Sequence, residues 1–215
     1  MSIKDRKERE SAQLRQEILN AALRVFAEQG YRKVSMRKIA ALIDYSPTTI
    51  YRFFRNKEEL LRTIAAETYR DLSARFEEIK AEGSDNPVVL LKTLICEYIV
   101  FCVERPDMFS LYSDLCSFEM EDGVMYERLG GSRYRVYQSW FQCIRESIDS
   151  RRVAMKNEIR VFLYLWDAVN GYIDHRIRYS GVPRKPLADD SAEYLTLLFR
   201  GIEPRKRSAK KGRER

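Results

Sequence analysis

The sequence predicts an all-α protein. Three observations point there. Apolar residues recur at steps of three and four along most of the chain, and no stretch shows a strand alternation that stands up. The 215 residues contain only 9 Gly and 6 Pro, too few for a loop-rich or all-β fold. The breaks that do occur look like helix caps and short turns, and 45% hydrophobic residues suffice for a real core.

The elements follow in order. Residues 12–29 carry Leu14, Ile18, Ala22 and Val25 on one stripe, with Leu19 and Phe26 alongside, and Gly30 ends the helix. Ser35 can cap a second helix, with Ile39, Leu42 and Ile43 facing inward. Asp44-Tyr45 breaks the pattern. Ser46-Pro47 then reads as an N-cap followed by proline at the first helical position, where its missing N–H is harmless and its φ is already helical. A third, short helix is therefore expected over Thr48 to Phe54, against the strand-like propensity of Thr48, Thr49 and Ile50. Ile50 with Phe53 or Phe54 must anchor it, because so short a helix is unstable alone. Asn56 can cap a fourth helix with Glu59 at the capping-box position, and Leu61, Ala65, Thr68, Leu72, Phe76 and Ile79 continue at helical steps.

EGSDNP, residues 82–87, is the clearest boundary. Helices are expected over 88–104, in shorter pieces through 107–120, over 134–148, over 158–179 and over 191–202, with a less ordered stretch at 121–131 and a loop at 180–186. Residues 11–72 thus form one domain, 85–203 a second, and 204–215 a basic disordered tail.

Charge is unevenly placed. Residues 31–57 carry seven Lys/Arg against Asp44 alone, and residues 205–215 carry seven against Glu214. Residues 58–204 carry 19 Lys/Arg against 25 Asp/Glu, so the net +7 is concentrated in two short segments. Such concentration is the footprint of a polyanion partner. Three helices, the second and third joined by a few residues, give the outline of a helix-turn-helix, whose third helix enters the major groove of double-stranded DNA. Thr48 and Thr49 offer hydroxyls and methyls to base edges; Tyr51 and Arg52 reach phosphates or a guanine edge. Ser46 and Pro47 open that helix. Free amides at the helix starts near Asn56-Lys57 and Ser35 favour phosphate, with Lys57 and Arg37 adding full charges.

The set Ala22, Phe26, Gly30, Ile39-Ala40, Ser46, Ile50-Tyr51, Phe53-Phe54, Lys57 and Leu60-Leu61 resembles the TetR family of bacterial transcriptional regulators across residues 11–61. Two positions depart from the family pattern: Asp44 stands where glycine is usual, and Tyr45 where a small aliphatic is usual. Asp tolerates left-handed backbone better than most residues, so the turn can survive. The resemblance implies a homodimer that reads an inverted-repeat operator. It also implies a helical C-terminal domain that binds a small-molecule effector and dimerises through its last two helices, about 156–179 and 188–203. Segments 101–112 and 166–172 look like segments common in one branch of the family. On that basis the effector candidates are Phe101, Phe109, Tyr112, Tyr137, Trp140, Tyr164, Trp166 and Asn170, with Asn170 a buried amide in need of a partner.

Other classes find little support. There is no phosphate-binding glycine loop, metalloprotease motif or nucleophile elbow, and His175 is the only histidine, so no enzyme is expected. Cys96, Cys102, Cys116 and Cys143 lack C-x-x-C spacing and read as reduced small hydrophobes, with no metal and no cofactor. No apolar run is of transmembrane length and the first residues are charged, which predicts a cytoplasmic, nucleoid-associated protein without a membrane partner. The leading expectation is an effector-released repressor. The alternative is an effector-independent nucleoid-associated or division-linked DNA-binding protein of the same fold, to which the basic tail would add sequence-independent affinity.

Overall fold

A computed structural model describes residues 2–111, 131–179, 181, 185–202 and 204. Among them every regular element is helical and none is a strand. The expected helices at 112–120, the stretch 121–130 and the tail 205–215 lie outside the described residues.

The first helix, α1, runs over Ile3–Gln29 and begins nine residues before its apolar stripe. Ser2 caps it: its side chain accepts from Lys4 N at 3.2 Å, and Ser2 N donates to Asp5 Oδ2 at 2.9 Å. Residues 4–13 are exposed, and the i,i+4 ion pairs Lys4–Glu8 and Arg6–Glu10 run along them. Gly30 ends the helix with φ 77°, a backbone region open to glycine, and donates its N–H to Phe26 O at 2.9 Å. A short 3-10 turn, Tyr31–Lys33, follows.

Helix α2 is Met36–Leu42, and Ser35 Oγ accepts from Lys38 N. Its buried face is Met36, Ile39 and Ala40, whereas Leu42, expected inward, points to solvent. Asp44 adopts φ 56° in the turn that follows, and Tyr45 N returns to Ala40 O at 3.0 Å. The carboxylate residue thus takes the left-handed position that glycine fills elsewhere.

Helix α3 spans only Pro47–Tyr51, three residues fewer at its end than the sequence suggests. Ser46 Oγ accepts from Thr49 N at 3.2 Å, so the cap is as expected. Past Tyr51 the chain closes with Phe53 N and Phe54 N both donating to Ile50 O, at 2.9 and 3.0 Å, and Phe54 is buried in the core. Ile50 and Phe54 are the anchors; Phe53 is only half-buried. Ile18, Ala22, Phe26, Ile39 and Ala40 are buried with them, among others, with α1 packed on α2 and α2 on α3.

Helix α4 is Lys57–Glu82. Asn56 Oδ1 accepts from Glu59 N at 2.8 Å, while Glu59 Oε2 takes the N–H of Arg55 at 2.7 Å. The reciprocal half of the capping box is therefore displaced by one residue. Leu60, Tyr69, Leu72 and Phe76 are buried along α4. Arg15 of α1 pairs with Glu67 at 2.6 Å and lies 5.5 Å from the Phe54 ring, tying α1, the α3 exit and α4 together.

The remaining helices are α5, Pro87–Val103; a helical segment at 106–111; α6, Gly131–Asp149; α7, Glu158–Arg178; and α8, Leu187–Arg200. The chain divides into two compact units, one drawn from Met1–Glu78 and Phe101–Tyr137, the other from Ile79–Val100 and Gln138–Arg215. Within the second unit α7 buries Val161, Phe162, Leu165, Val169 and Ile173, and α8 buries Ser191, Leu195 and Phe199. Tyr172 Oη donates to Asp190 Oδ2 at 2.5 Å, and Arg176 Nη1 reaches the same oxygen at 3.1 Å. Tyr194 Oη donates to Ala168 O at 2.7 Å, and the Tyr172 and Tyr194 rings stack at 4.4 Å. These bonds fix α8 against α7.

Cys102 and Cys143 are buried and Cys96 is half-buried. Burial pushes the Cys143 thiol up to about 11, with Glu146 adding to it, and raises Cys96 in the same way. Among the described residues no group of His, Cys, Asp and Glu could hold a metal ion, and no helix is long and apolar enough to cross a membrane.

Candidate nucleic-acid interface

The proline start and the early exit of α3 leave a single turn and a half whose outer side is polar. Thr48, Tyr51 and Arg52 are exposed, with Tyr51 51% accessible. Thr49 is half-buried, and its Oγ1 lies 2.9 Å from Ser46 Oγ, so its hydroxyl is engaged with the cap. Ser46 is exposed and Pro47 half-buried. On α2 and the turn before it, Arg32, Lys33, Ser35, Arg37 and Lys38 are exposed, and Arg55 follows beyond α3. The cationic excess counted over residues 31–57 is therefore mostly on the surface of one helical unit.

Lys57 is the exception, because it is half-buried. Its Nζ donates to Tyr31 O at 2.8 Å and to Val34 O at 3.0 Å, and lies 4.1 Å from the centre of the Tyr31 ring. An ammonium has three donors. Here two are spent on carbonyls and the charge faces a ring, so Lys57 holds the 3-10 turn to the start of α4. Burial lowers its pKa and raises that of Tyr31. Sequence reasoning missed this latch because its acceptors are backbone carbonyls 26 and 23 residues earlier.

The effector candidates scatter. In the first unit Phe101 is buried, 5.5 Å from the Tyr69 ring and 4.4 Å from the Arg105 guanidinium, and Phe109 and Tyr137 are buried as well. Tyr112 lies outside the described residues. In the second unit Tyr164 faces solvent, 56% accessible, which corrects its placing in a pocket. Asn170 is half-buried and donates Nδ2 to Trp166 O at 2.8 Å, so its amide N–H finds a partner on its own helix. Trp140 and Trp166 do meet, ring centres 6.2 Å apart. They join Tyr98, Phe141 and Phe162, helix-face residues that were not among the effector candidates, in one aromatic cluster. The helical spacing of Tyr98 on α5 and Phe162 on α7 was the available signal.

Residues 18–64, the stretch just described, match the family model for bacterial regulatory proteins of the tetR family. This stretch is a DNA-binding domain of the tetR type by that match. UidR, an HTH-type transcriptional regulator of Escherichia coli K12, is 36% identical to this chain over 74 residues, 34% of the chain and 38% of UidR. The transcriptional repressor AcnR of Corynebacterium diphtheriae is 38% identical over 69 residues, covering 32% of the chain and 34% of AcnR. The sequence match thus spans little more than a third of the curated relatives' length. The fold likeness extends further: FadR of Bacillus subtilis, solved in complex with stearoyl-CoA, superposes with a TM-score of 0.59 over 87% of this chain and 99% of that one, at 20% identity. The all-α fold of this chain is thus shared with that solved structure.

Proposed function

We propose that this chain is a TetR-family homodimeric repressor that binds an inverted-repeat operator and is released by a small-molecule effector. The observation that carries the DNA half is the exposed Thr48, Tyr51 and Arg52 edge of α3, bordered by the exposed cations of α2. In this reading α3 enters the major groove. Arg52 and Thr48 face base edges, Tyr51 holds the backbone, and Ser35, Arg37 and Ser46 take phosphates at helix starts. Thr49 orders the cap more than it reads sequence.

The dimer half is supported by the outer surface of α7 and α8. Tyr164 and Leu197 are exposed there, Leu197 at 61%, and Gly171 sits mid-helix where an added Cβ would meet nothing within 4 Å. A second copy docking on these helices would bury apolar side chains that the single chain leaves in water. The effector half is supported by the aromatic cluster of the second unit, and by the family resemblance. A ligand could release DNA only by binding the released state more tightly than the DNA-bound one.

Genome-wide mapping of bound DNA, followed by affinity measurements on the enriched duplex, tests the reading. A palindromic site bound by two chains per duplex is expected. Binding that does not distinguish that duplex from random DNA would refute it.

A further inference from the structure

In the second unit, the loop that joins α6 to α7 carries positive charge that the proposed function does not use. Arg151, Arg152, Lys156 and Arg160 are all exposed. The carboxylates nearest in sequence are engaged elsewhere. Glu158 pairs with Arg145 at 3.0 Å, Glu146 accepts from Gln142 at 3.0 Å, and the charge of Asp149 acts on Arg145. Among the described residues no carboxylate pairs with any of the four cations. The loop lies against the end of α8: Ala154 N donates to Ile202 O at 2.9 Å, which brings the last turn of α8, with the exposed Arg200, beside it. Five cations thus gather on one patch.

A cation after a helix C-terminus is favoured by the helix dipole, which accounts for Arg151, Arg152 and Arg200. It does not account for Lys156 and Arg160, which flank the start of α7 at Asn157, where the dipole disfavours positive charge. Nor does it explain the backbone of Arg151, which has φ 55°. That residue closes α6, where Arg152 N returns to Ser147 O at 2.9 Å, a place that favours glycine or asparagine. An arginine held there strains the fold, and strained positions cluster at functional sites. Residues 151–156 lie outside any helix and can span up to about 17 Å, a row too long for one small anion. A DNA strand offers a phosphate charge about every 3.4 Å of helix axis.

We infer that this patch is a second DNA-binding surface, on which Arg151, Arg152, Lys156, Arg160 and Arg200 meet the phosphates of a duplex without reading its sequence. Duplex DNA is the occupant because it is the polyanion to which residues 18–64 bring this chain. The patch shares no residue with the α2–α3 edge and does not depend on an operator. It adds to the basic residues of 205–215 an affinity that falls steeply with salt.

The test uses the full chain and a random-sequence duplex, with affinity measured by fluorescence anisotropy across a salt series. Replacing all five cations by Gln should flatten the slope of log affinity against log salt by at least about 2, since each neutralised phosphate contributes about 0.9. A control in the same unit replaces Arg178 and Lys185, exposed cations that are paired with Asp174 and Glu193, and should keep its slope. Arg151→Gly separates binding from folding. Glycine suits φ 55°, so the thermal midpoint should hold or rise while the slope flattens by about 0.9. Should the five-cation variant lose its fold, Arg151→Gly decides alone. An unchanged slope in either folded variant, or a loss per charge as large in the control, would overturn the inference. So would patch-dependent binding to vesicles of phosphatidylcholine and phosphatidylglycerol without any to the duplex. None of these readouts needs an operator. Genome-wide mapping that yields no palindrome would leave the patch standing, and an unchanged slope here would leave the α3 edge untouched.

Discussion

Lys57 stands at a helix start in a cationic segment, where phosphate binding is the natural expectation, yet its ammonium is held by the carbonyls of Tyr31 and Val34. The two roles separate by salt dependence. Removing a cation that neutralises one phosphate flattens the slope of log affinity against log salt by about 0.9. Arg37→Ala should flatten it by roughly that amount, whereas Arg52→Ala should chiefly relax base preference. Lys57→Ala should leave the slope unchanged and instead lower the unfolding midpoint of the head; a slope change with Lys57→Ala would return it to the phosphate. Asp44 offers a second residue-scale test, since its φ is 56°. Asp44→Gly should be neutral or mildly stabilising, and Asp44→Val destabilising by about 1–2 kcal/mol in chemical denaturation. Ser46→Ala should cost about 1 kcal/mol through removal of the cap. The caps Ser35, Ser46 and Asn56 could be read from sequence because a cap acts within three residues. The partners of Lys57 could not, because chain segments far apart create the contact.

At the scale of elements, the apolar stripes of α1, α4 and α7 announced where those helices pack. They did not announce where α1 begins, because residues 4–13 bury nothing. Their helix is sustained by the Ser2–Asp5 box and paired charges, signals that need no core. The end of α3 was misjudged for the opposite reason: burial of Phe54 pulls the chain out of helix earlier than local pattern suggests. Helix α7 carries a sharper test. Gly171→Ala should stabilise the isolated chain by about 0.5–1 kcal/mol, since the added Cβ meets nothing within 4 Å. Gly171→Trp should weaken self-association measured by sedimentation if a second copy crosses there. An unchanged dimer constant would move the interface off this face.

For the molecule as a whole, pH gives a global readout. The Cys143 thiol is raised from its ordinary value of 9.0 to about 11 by burial. Between those values the folded state holds a proton that the unfolded chain has released. Stability from this group is therefore complete below pH 9, and is lost as pH rises towards 11. Tyr31, Tyr172 and Tyr194 are shifted upward too, chiefly by burial, and reinforce the trend. Thermal unfolding followed from pH 8 to pH 11 should show a falling midpoint, and Cys143 should alkylate slowly at pH 8 while the fold holds; rapid alkylation would contradict its burial.

The early start of α1 also has a practical consequence. The nine residues before the stripe form a solvent-facing spur about 13 Å long, continuous with the helix that carries Ile18 and Phe26. A spin label placed at Glu8 or Lys7 would be a pointer on an exposed stretch of continuous helix. In an assembly of two chains, the distance between two such pointers would report the spacing of the heads directly. Pulsed electron resonance could then follow that spacing as ligand is added, with no DNA in the sample.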